Sequence, residues 1–238
     1  MIHSIQFGDP HLKPLILLHG FLGSHQDFLD IIPSLSHQYH VVCLDIESIE
    51  DDLYQCVSSY QDPIVVGYSM GGRLALNLAI HHPDCLDQLI LISASPGIDS
   101  IPERELRLTR DNQWAEMLRT VPFSQFLDRW YDQPIFDSFR ESPVFAHALS
   151  VRRVSDPERL ALLFLAVSPG HIPSMWGALS QLKCPLTYVY GELDIAYGVI
   201  SDRIRNECPH ATIYSIPQSG HVVHLEAPTE LVALLLDL

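Results

Sequence analysis

The sequence predicts an α/β fold with a mostly parallel sheet that is covered by helices on both faces. Short apolar runs alternate with helical patterns along most of the chain, as a sheet of this kind requires. One run is followed directly by a serine between glycines, in GYSMGGR at residues 67–73. With 238 residues, of which 47% are hydrophobic, the chain can bury one large core without disulfide or metal support.

Six short segments, most of them apolar, have the pattern of strands. They are PLILLHG (14–20), HVVCLD (40–45), PIVVGYS (63–69), QLILIS (88–93), PLTYVYGELD (185–194) and TIYSIP (212–217). Helical patterns lie between most of them, such as RLALNLAIHHP, which follows the serine turn and ends at Pro83.

The interval from residue 97 to residue 180 interrupts this alternation. Its pattern is helical, it is rich in Trp and Arg, and it contains no clear strand. We therefore expect a core made of residues 1–96 and 181–238, with residues 97–180 inserted as a helical cap. Such a cap would cover the carboxyl edge of the sheet, where open α/β folds bind ligands.

Composition excludes several classes of partner. A net charge of −15 argues against nucleic acid and anionic membranes. The chain has no apolar run of about 18 residues, which argues against membrane insertion, and no basic, apolar leader. Its five cysteines include no C-x-x-C pair, which argues against a zinc or redox role and suits reduced thiols. We expect a cytoplasmic protein that is a monomer or a weak homo-oligomer.

The serine turn predicts a nucleophile or base at Ser69. Gly67 and Gly71 fit a sharp turn from a strand into a helix, which would push Ser69 outward. A serine hydroxyl is a poor base at neutral pH, and it needs an imidazole that a carboxylate orients. Asp194 ends one predicted strand, and His221 follows the last one.

Taken alone, Asp194 would be interpreted as a solvated loop residue, and His221 would be interpreted as a structural histidine. The chain order Ser69, Asp194, His221, each at a strand end, is the order of the α/β-hydrolase fold. We therefore predict a catalytic triad, and we expect the nearby His224 either to pack in the core or to support the triad from behind. In HGFLGS, the turn after the first predicted strand would point the backbone N–H of Phe21 at an oxyanion, together with the N–H of Met70.

The cap carries most of the cationic side chains. Residues 103–159 hold nine of the twelve arginines. Guanidinium groups above a catalytic edge favour a polyanionic substrate, although most of these arginines would serve as solvated partners of nearby acidic residues. The chain has no H-E-x-x-H, G-x-G-x-x-G or C-x-x-C, so we expect catalysis without a metal or an organic cofactor.

The cap also carries a family resemblance. SPGIDSIPERELRLTRDNQWAEMLRTVPFSQFLDRWYDQPIFDSF, with GYSMGGR before it and GHIPSMW after it, resembles 2-succinyl-6-hydroxy-2,4-cyclohexadiene-1-carboxylate synthase, the MenH family of menaquinone biosynthesis. The resemblance implies elimination of pyruvate from a cyclohexene tricarboxylate, with Ser69 acting as a base. It further implies that the substrate contacts Tyr68, Arg73, Arg107, Trp130 and Arg152, where a one-residue slip would exchange Arg152 for Arg153.

One loop departs from the family pattern. The family usually has DLPGHG after its second clear strand, whereas DIESIEDDL follows here, and its acidic residues would lie near the pocket rim. Two other classes stay open on the residues alone. A carboxylesterase or C–C hydrolase would use the same triad, and a catalytically idle binding protein would share the fold.

Overall fold

Seven strands form one sheet in the computed structural model of the protein, which describes residues 2–47, 52–152 and 156–238. The strands are β1 His3–Phe7, β2 Lys13–Leu18, β3 Tyr39–Asp45, β4 Ile64–Tyr68, β5 Gln88–Ile92, β6 Leu186–Gly191 and β7 Thr212–Ile216. Their order across the sheet is β1-β3-β2-β4-β5-β6-β7. β1 runs antiparallel to β3, and the other neighbouring pairs are parallel. The predicted fold class is confirmed.

The six predicted strands are all present, and β1 is the strand that the sequence analysis missed. Its sequence, HSIQF, is short and half polar, and its residues are exposed or only partly buried. As an edge strand it pairs with β3 alone, in a register that sets His3 opposite Asp45. Backbone pairing with a buried neighbour stabilises this strand, so its sequence does not need the apolar run by which the other strands were predicted.

The helices surround the sheet. They are α1 Ile32–Leu35, α2 Leu53–Val57, α3 Met70–His81, α4 Ile101–Thr120, α5 Phe123–Tyr131, α6 Asp137–Glu141, α7 Phe145–Val151, α8 Pro157–Ala166, α9 Ile195–Glu207, α10 Val223–Glu226 and α11 Pro228–Asp237, with 3₁₀ helices at His25–Phe28, Pro134–Phe136 and Trp176–Gln181. None of the helices in the described ranges is both long and apolar enough to cross a membrane.

Two hydrophobic clusters form the core, one on each face of the sheet. Leu15 and Leu17 of β2 belong to one cluster, and the alternating Ile16 and Leu18 belong to the other. Because successive side chains of a strand point to opposite faces, a strand buried on both faces must be apolar throughout. This requirement explains why the central strands could be recognised in the sequence.

The chain between β5 and β6 is helical and has no strand in its described part. Ser100 caps the N-terminus of α4, and its hydroxyl accepts a hydrogen bond from the N–H of Glu103 at 3.4 Å. Aromatic side chains of this segment, including Trp114, Trp130 and Phe164, pack into the cluster that also contains β2 and β4. The segment is therefore anchored to the sheet by apolar packing, and we refer to residues 97–180 as the cap.

Candidate active site

Ser69 lies at the sharp turn between β4 and α3. Its φ of 49° and ψ of −105° fall outside the regions that a non-glycine residue prefers, so the turn is strained. The glycines around it permit close backbone contact. A Cβ on Gly71 would lie 2.6 Å from the carbonyl oxygen of His19, and a Cβ on Gly67 would lie 2.6 Å from that of Gly71. Larger residues would not fit this turn.

His221 lies between Ser69 and Asp194 and contacts both. Its Nε2 lies 3.3 Å from Ser69 Oγ, and its Nδ1 lies 2.7 Å from Asp194 Oδ2. A carboxylate can only accept, so Nδ1 carries the proton and Nε2 accepts from the serine hydroxyl. Asp194 also caps α9, because its Oδ1 accepts from the N–H of Tyr197. Both His221 and Asp194 are buried, which keeps the relay away from bulk water.

Glu226, which the sequence analysis did not single out, holds the loop that carries His221. Its Oε2 accepts from the N–H of Gly220, and its Oε1 accepts from the N–H of Val222, each at 2.9 Å. One carboxylate therefore clamps the residues on both sides of His221. In the sequence, Glu226 is visible only as an acidic residue five positions after the histidine. Short-range patterns do not distinguish such a residue from an exposed glutamate on a helix.

Phe21 and Met70, whose N–H groups form the predicted oxyanion hole, both line the cavity that contains Ser69. Among the described residues, neither group donates a hydrogen bond to another part of the protein. The loop that carries Phe21 is tied to the serine turn, because Gly71 donates its N–H to the carbonyl of His19 at 3.1 Å. Two unsatisfied donors beside the serine are suited to stabilise a developing negative charge.

The side chain of His19 sets the shape of this loop. Its Nδ1 donates to the carbonyl of Gly20 at 2.7 Å, and its Nε2 accepts from the N–H of Ile46 at 2.9 Å. Burial lowers the pKa of His19, which favours the neutral ring that can donate and accept at once. The sequence analysis considered only the backbone here and missed this role.

A cavity of about 420 Å³ lies between the ends of the strands and the cap. Ser69 and His221 line it, and so do the backbone neighbours Phe21 and Met70. Its aromatic lining consists of Phe21, Trp114, Trp130, Phe136, Phe164 and Tyr197. Trp130, a predicted substrate contact, packs against Phe21 with ring centroids 5.0 Å apart. The cavity is large enough for a small substrate with one ring.

Arg73 lies one helical turn after Ser69 and lines the same cavity. Its Nη2 donates to the carbonyl of Val167 at 3.3 Å, and its Nε is buried with no hydrogen-bond partner among the described residues. Burial lowers the pKa of Arg73 to about 10, so the group stays charged at neutral pH. A buried cation with an unsatisfied donor is suited to bind an anion.

Arg107 of α4 also lines the cavity, but it has a carboxylate partner. Its Nε lies 2.8 Å and 2.9 Å from the two carboxylate oxygens of Asp111. Asp111 is buried and also accepts from Ser168 Oγ at 2.5 Å. Asp111 therefore orients Arg107 toward the cavity. The neighbouring Arg110 lines the cavity as well, and the sequence analysis did not select it among the many cap arginines.

Two predicted substrate contacts, Tyr68 and Arg152, are not among the residues that line this cavity. Tyr68 is buried below Gly20 and packs against His224, with ring centroids 4.5 Å apart. Arg152 is buried in an ion pair with Asp27, and its Nε donates to the hydroxyl of Tyr131 at 3.0 Å.

The alternative Arg153 lies outside the described residues, as do residues 48–51 of the divergent acidic loop. Of the described acidic residues in that loop, Asp52 caps α2 by accepting from the N–H of Gln55. Glu47 lines a smaller cavity on the far side of Phe21 and Met70. Neither residue lines the cavity that contains Ser69.

Comparison with known proteins agrees with this geometry. Residues 15–234 match the alpha/beta hydrolase family. The chain is 31% identical to 2-succinyl-6-hydroxy-2,4-cyclohexadiene-1-carboxylate synthase of Enterobacter sp. (strain 638), over 96% of this chain and 92% of that protein. The structure of MenH from S. aureus matches with a TM-score of 0.92 and 28% identity, over 100% of this chain and 97% of that one. The protein therefore belongs to the alpha/beta hydrolase family and, within it, to the 2-succinyl-6-hydroxy-2,4-cyclohexadiene-1-carboxylate synthases.

Proposed function

We propose that the protein is a lyase that forms 2-succinyl-6-hydroxy-2,4-cyclohexadiene-1-carboxylate. It would do so by eliminating pyruvate from 2-succinyl-5-enolpyruvyl-6-hydroxy-3-cyclohexene-1-carboxylate, in the biosynthesis of menaquinone or phylloquinone. The observation that carries this proposal is the combination of a triad with a buried, unpaired guanidinium in one cavity. Ser69 supplies the chemistry, and Arg73 supplies a site for a carboxylate one helical turn away.

The triad would act by proton abstraction. Ser69 Oγ takes the ring proton beside the succinyl ketone while its own proton passes to Nε2 of His221, which lies 3.3 Å away. The electrons of the broken C–H bond form the enolate, and its oxygen accepts from the N–H groups of Phe21 and Met70. The enolate then collapses across the ring alkene and breaks the C–O bond to the enolpyruvyl group. The leaving group departs as enolpyruvate, which takes the proton back from His221 and becomes pyruvate.

The charge of the cavity matches a substrate with three carboxylates. Arg73 and Arg107 line the cavity from two different parts of the protein. Arg73 belongs to the core helix α3, and Arg107 belongs to the cap helix α4. Asp111 neutralises part of the charge of Arg107, whereas Arg73 has no carboxylate within salt-bridge distance among the described residues. We infer that Arg73 makes the stronger contact, because a buried cation gains most from a counter-ion.

The decisive experiment compares two substrates with the same enzyme. The tricarboxylate elimination is followed by pyruvate release and by the absorbance of the new diene, and a neutral nitrophenyl ester is assayed in parallel. We expect rapid elimination and slow ester hydrolysis. Rapid ester hydrolysis without elimination would instead identify a carboxylesterase that uses the same triad, and inactivity on both substrates would identify a binding protein.

We also infer that the enzyme works in the cytoplasm as a monomer or weak homo-oligomer. Its five cysteines are all free thiols, as reducing compartments favour. Burial raises the pKa of Cys43 to about 12 and that of Cys184 to about 11, so these thiols are unreactive at neutral pH. Cell fractionation and light scattering at several protein concentrations test the two statements separately.

A further inference from the structure

A second group of potential ligands lies outside the cavity. Within the described residues, His3, His25 and Asp45 place one ligand atom each within 4.8 Å of one another. They come from three segments: the edge strand β1, the 3₁₀ helix His25–Phe28 and the end of β3. None of them lines the cavity that contains Ser69, and the proposed reaction does not use them.

Both imidazoles present the same nitrogen to the same carboxylate oxygen. Nδ1 of His3 lies 3.0 Å from Asp45 Oδ2, and Nδ1 of His25 lies 2.7 Å from it. The other oxygen, Asp45 Oδ1, accepts from the backbone N–H of His25 at 2.6 Å. That backbone hydrogen bond orients the carboxylate, so that Oδ2 can serve as the ligand of an ion. Hydrogen bonds from outside a metal site commonly orient metal-binding groups in this way.

The spacing suits a tetrahedral ion. With metal–ligand bonds of about 2.0 to 2.2 Å, neighbouring ligands of zinc lie about 3.4 Å apart, so small side-chain rotations would admit an ion among these atoms. Two imidazole nitrogens with one carboxylate form a ligand set typical of Zn²⁺. The His3 side chain is 66% exposed, so the ion could enter from solvent and keep water at its remaining position.

We propose that His3, His25 and Asp45 form a binding site for a divalent transition-metal ion of the zinc type, separate from the active site. The ion would link the edge strand to the loop that follows Phe21. Asp45 is adjacent to Ile46, whose N–H donates to His19, so the site lies next to the residues that shape the oxyanion loop. Its role is to stabilise this part of the fold, and the proposed reaction does not use the ion.

The test is a titration of the chelator-treated, full-length protein with Zn²⁺ by calorimetry, with Co²⁺ absorbance as a report on ligand geometry. We expect one equivalent in the wild type. His3→Ala should weaken that binding by at least about tenfold, since even the outer partners of metal ligands contribute 10 to 100-fold. His37→Ala, which removes an exposed histidine elsewhere, should leave it unchanged, and so should His221→Ala in the triad.

A second readout is thermal unfolding. At a free Zn²⁺ concentration about 100 times its Kd, Tm should rise by roughly 5 to 10 °C in the wild type and not in His3→Ala. Circular dichroism establishes that the variant is folded, and His25→Gln serves as an independent variant if it is not. The proposal is overturned if the wild type binds no equivalent, or if His3→Ala and His25→Gln bind Zn²⁺ as tightly as the wild type.

Discussion

Ser69 combines a strained backbone with a complete relay, and its role as a base can be tested directly. Ser69→Ala, Asp194→Asn and His221→Ala should each lower kcat by about 10² to 10⁴-fold, the usual contribution of general-base catalysis. The three groups act as a unit, so a double variant should be no slower than the slower of its single variants. Single variants within a few-fold of wild type would contradict the mechanism.

The measurement is steady-state elimination of pyruvate from the tricarboxylate. Ser59→Ala is the matched control, because Ser59 is exposed on the surface and its hydroxyl donates to the nearby carbonyl of Cys56. Urea unfolding of each variant establishes that the fold is retained. A large loss of stability in Ser69→Ala would not be expected, since alanine fills the same space without the hydroxyl.

Arg73 and Arg107 provide the second test at the scale of single residues. Each should bind a substrate carboxylate through a charge-assisted hydrogen bond worth about 1.5 to 3 kcal/mol. Arg73→Ala and Arg107→Ala should therefore lower kcat/KM for the tricarboxylate by about 10 to 150-fold, and Arg73→Ala should have the larger effect. Hydrolysis of a neutral ester should be unaffected by either substitution.

Arg129→Ala is the control for these variants, because Arg129 is an exposed arginine of the cap that does not line the cavity. Raising the salt concentration should lower wild-type kcat/KM for the tricarboxylate, since mobile ions screen the attraction. Equal losses on the tricarboxylate and the ester would show that the arginines only support the cap.

At the scale of elements, the turn from β4 into α3 depends on the close approach of two backbone segments. A Cβ on Gly71 would lie 2.6 Å from the carbonyl oxygen of His19 and closer still to that of Leu18. Because both obstacles are backbone atoms, the turn or β2 must move. Gly71→Ala should cost about 1 to 3 kcal/mol of unfolding free energy and should lower kcat by displacing Met70 and Phe21.

Gly177→Ala is the matched substitution for this prediction. A Cβ at Gly177 would meet no atom within 4 Å, so the change should alter the unfolding free energy by less than about 1 kcal/mol. Urea unfolding curves and kcat are measured for both variants. A Gly71→Ala enzyme as stable and as active as Gly177→Ala would show that the turn tolerates a side chain.

At the scale of the whole molecule, His224 makes stability depend on pH. Its two ring nitrogens are buried without hydrogen-bond partners among the described residues, and burial lowers its pKa to about 4. The unfolded chain binds a proton near pH 6.5, whereas the folded protein does so only near pH 4. The contribution of His224 to the free energy of unfolding is therefore complete above pH 6.5. It is lost as pH falls toward 4, because the unfolded chain then binds a proton that the folded protein does not.

His224→Phe should remove this contribution while keeping the ring contacts with Tyr68 and Phe28. Between pH 7.5 and pH 5 the wild type should lose about 2 kcal/mol more unfolding free energy than the variant. Urea unfolding at both pH values measures the difference. His37→Phe, at an exposed position, should lose as much as wild type. His19, whose pKa burial also lowers, leaves a residual slope of the same sign in every protein.

Local patterns determined much of this molecule. The central strands could be recognised because burial on both faces demands continuous apolar residues, and β1 could not, because an edge strand needs only a partner. The elbow of Ser69 could be predicted because its glycines are adjacent in the sequence. The expectation that catalysis needs no metal or organic cofactor stays a prediction, as do the roles of the triad residues.

The sequence by itself determined the fold class and indicated the candidate triad, because strand periodicity, strand-end positions and chain order are all local or sequential features. It indicated the family through the resemblance of the cap motifs. Only the tertiary structure decided which polar side chains meet. Arg152 pairs with Asp27 across 125 positions of the chain, Tyr68 packs under Gly20, and Asp111 orients the guanidinium of Arg107. The physical reason is that a buried charge must find a partner, and that partner depends on which distant segments the fold brings together.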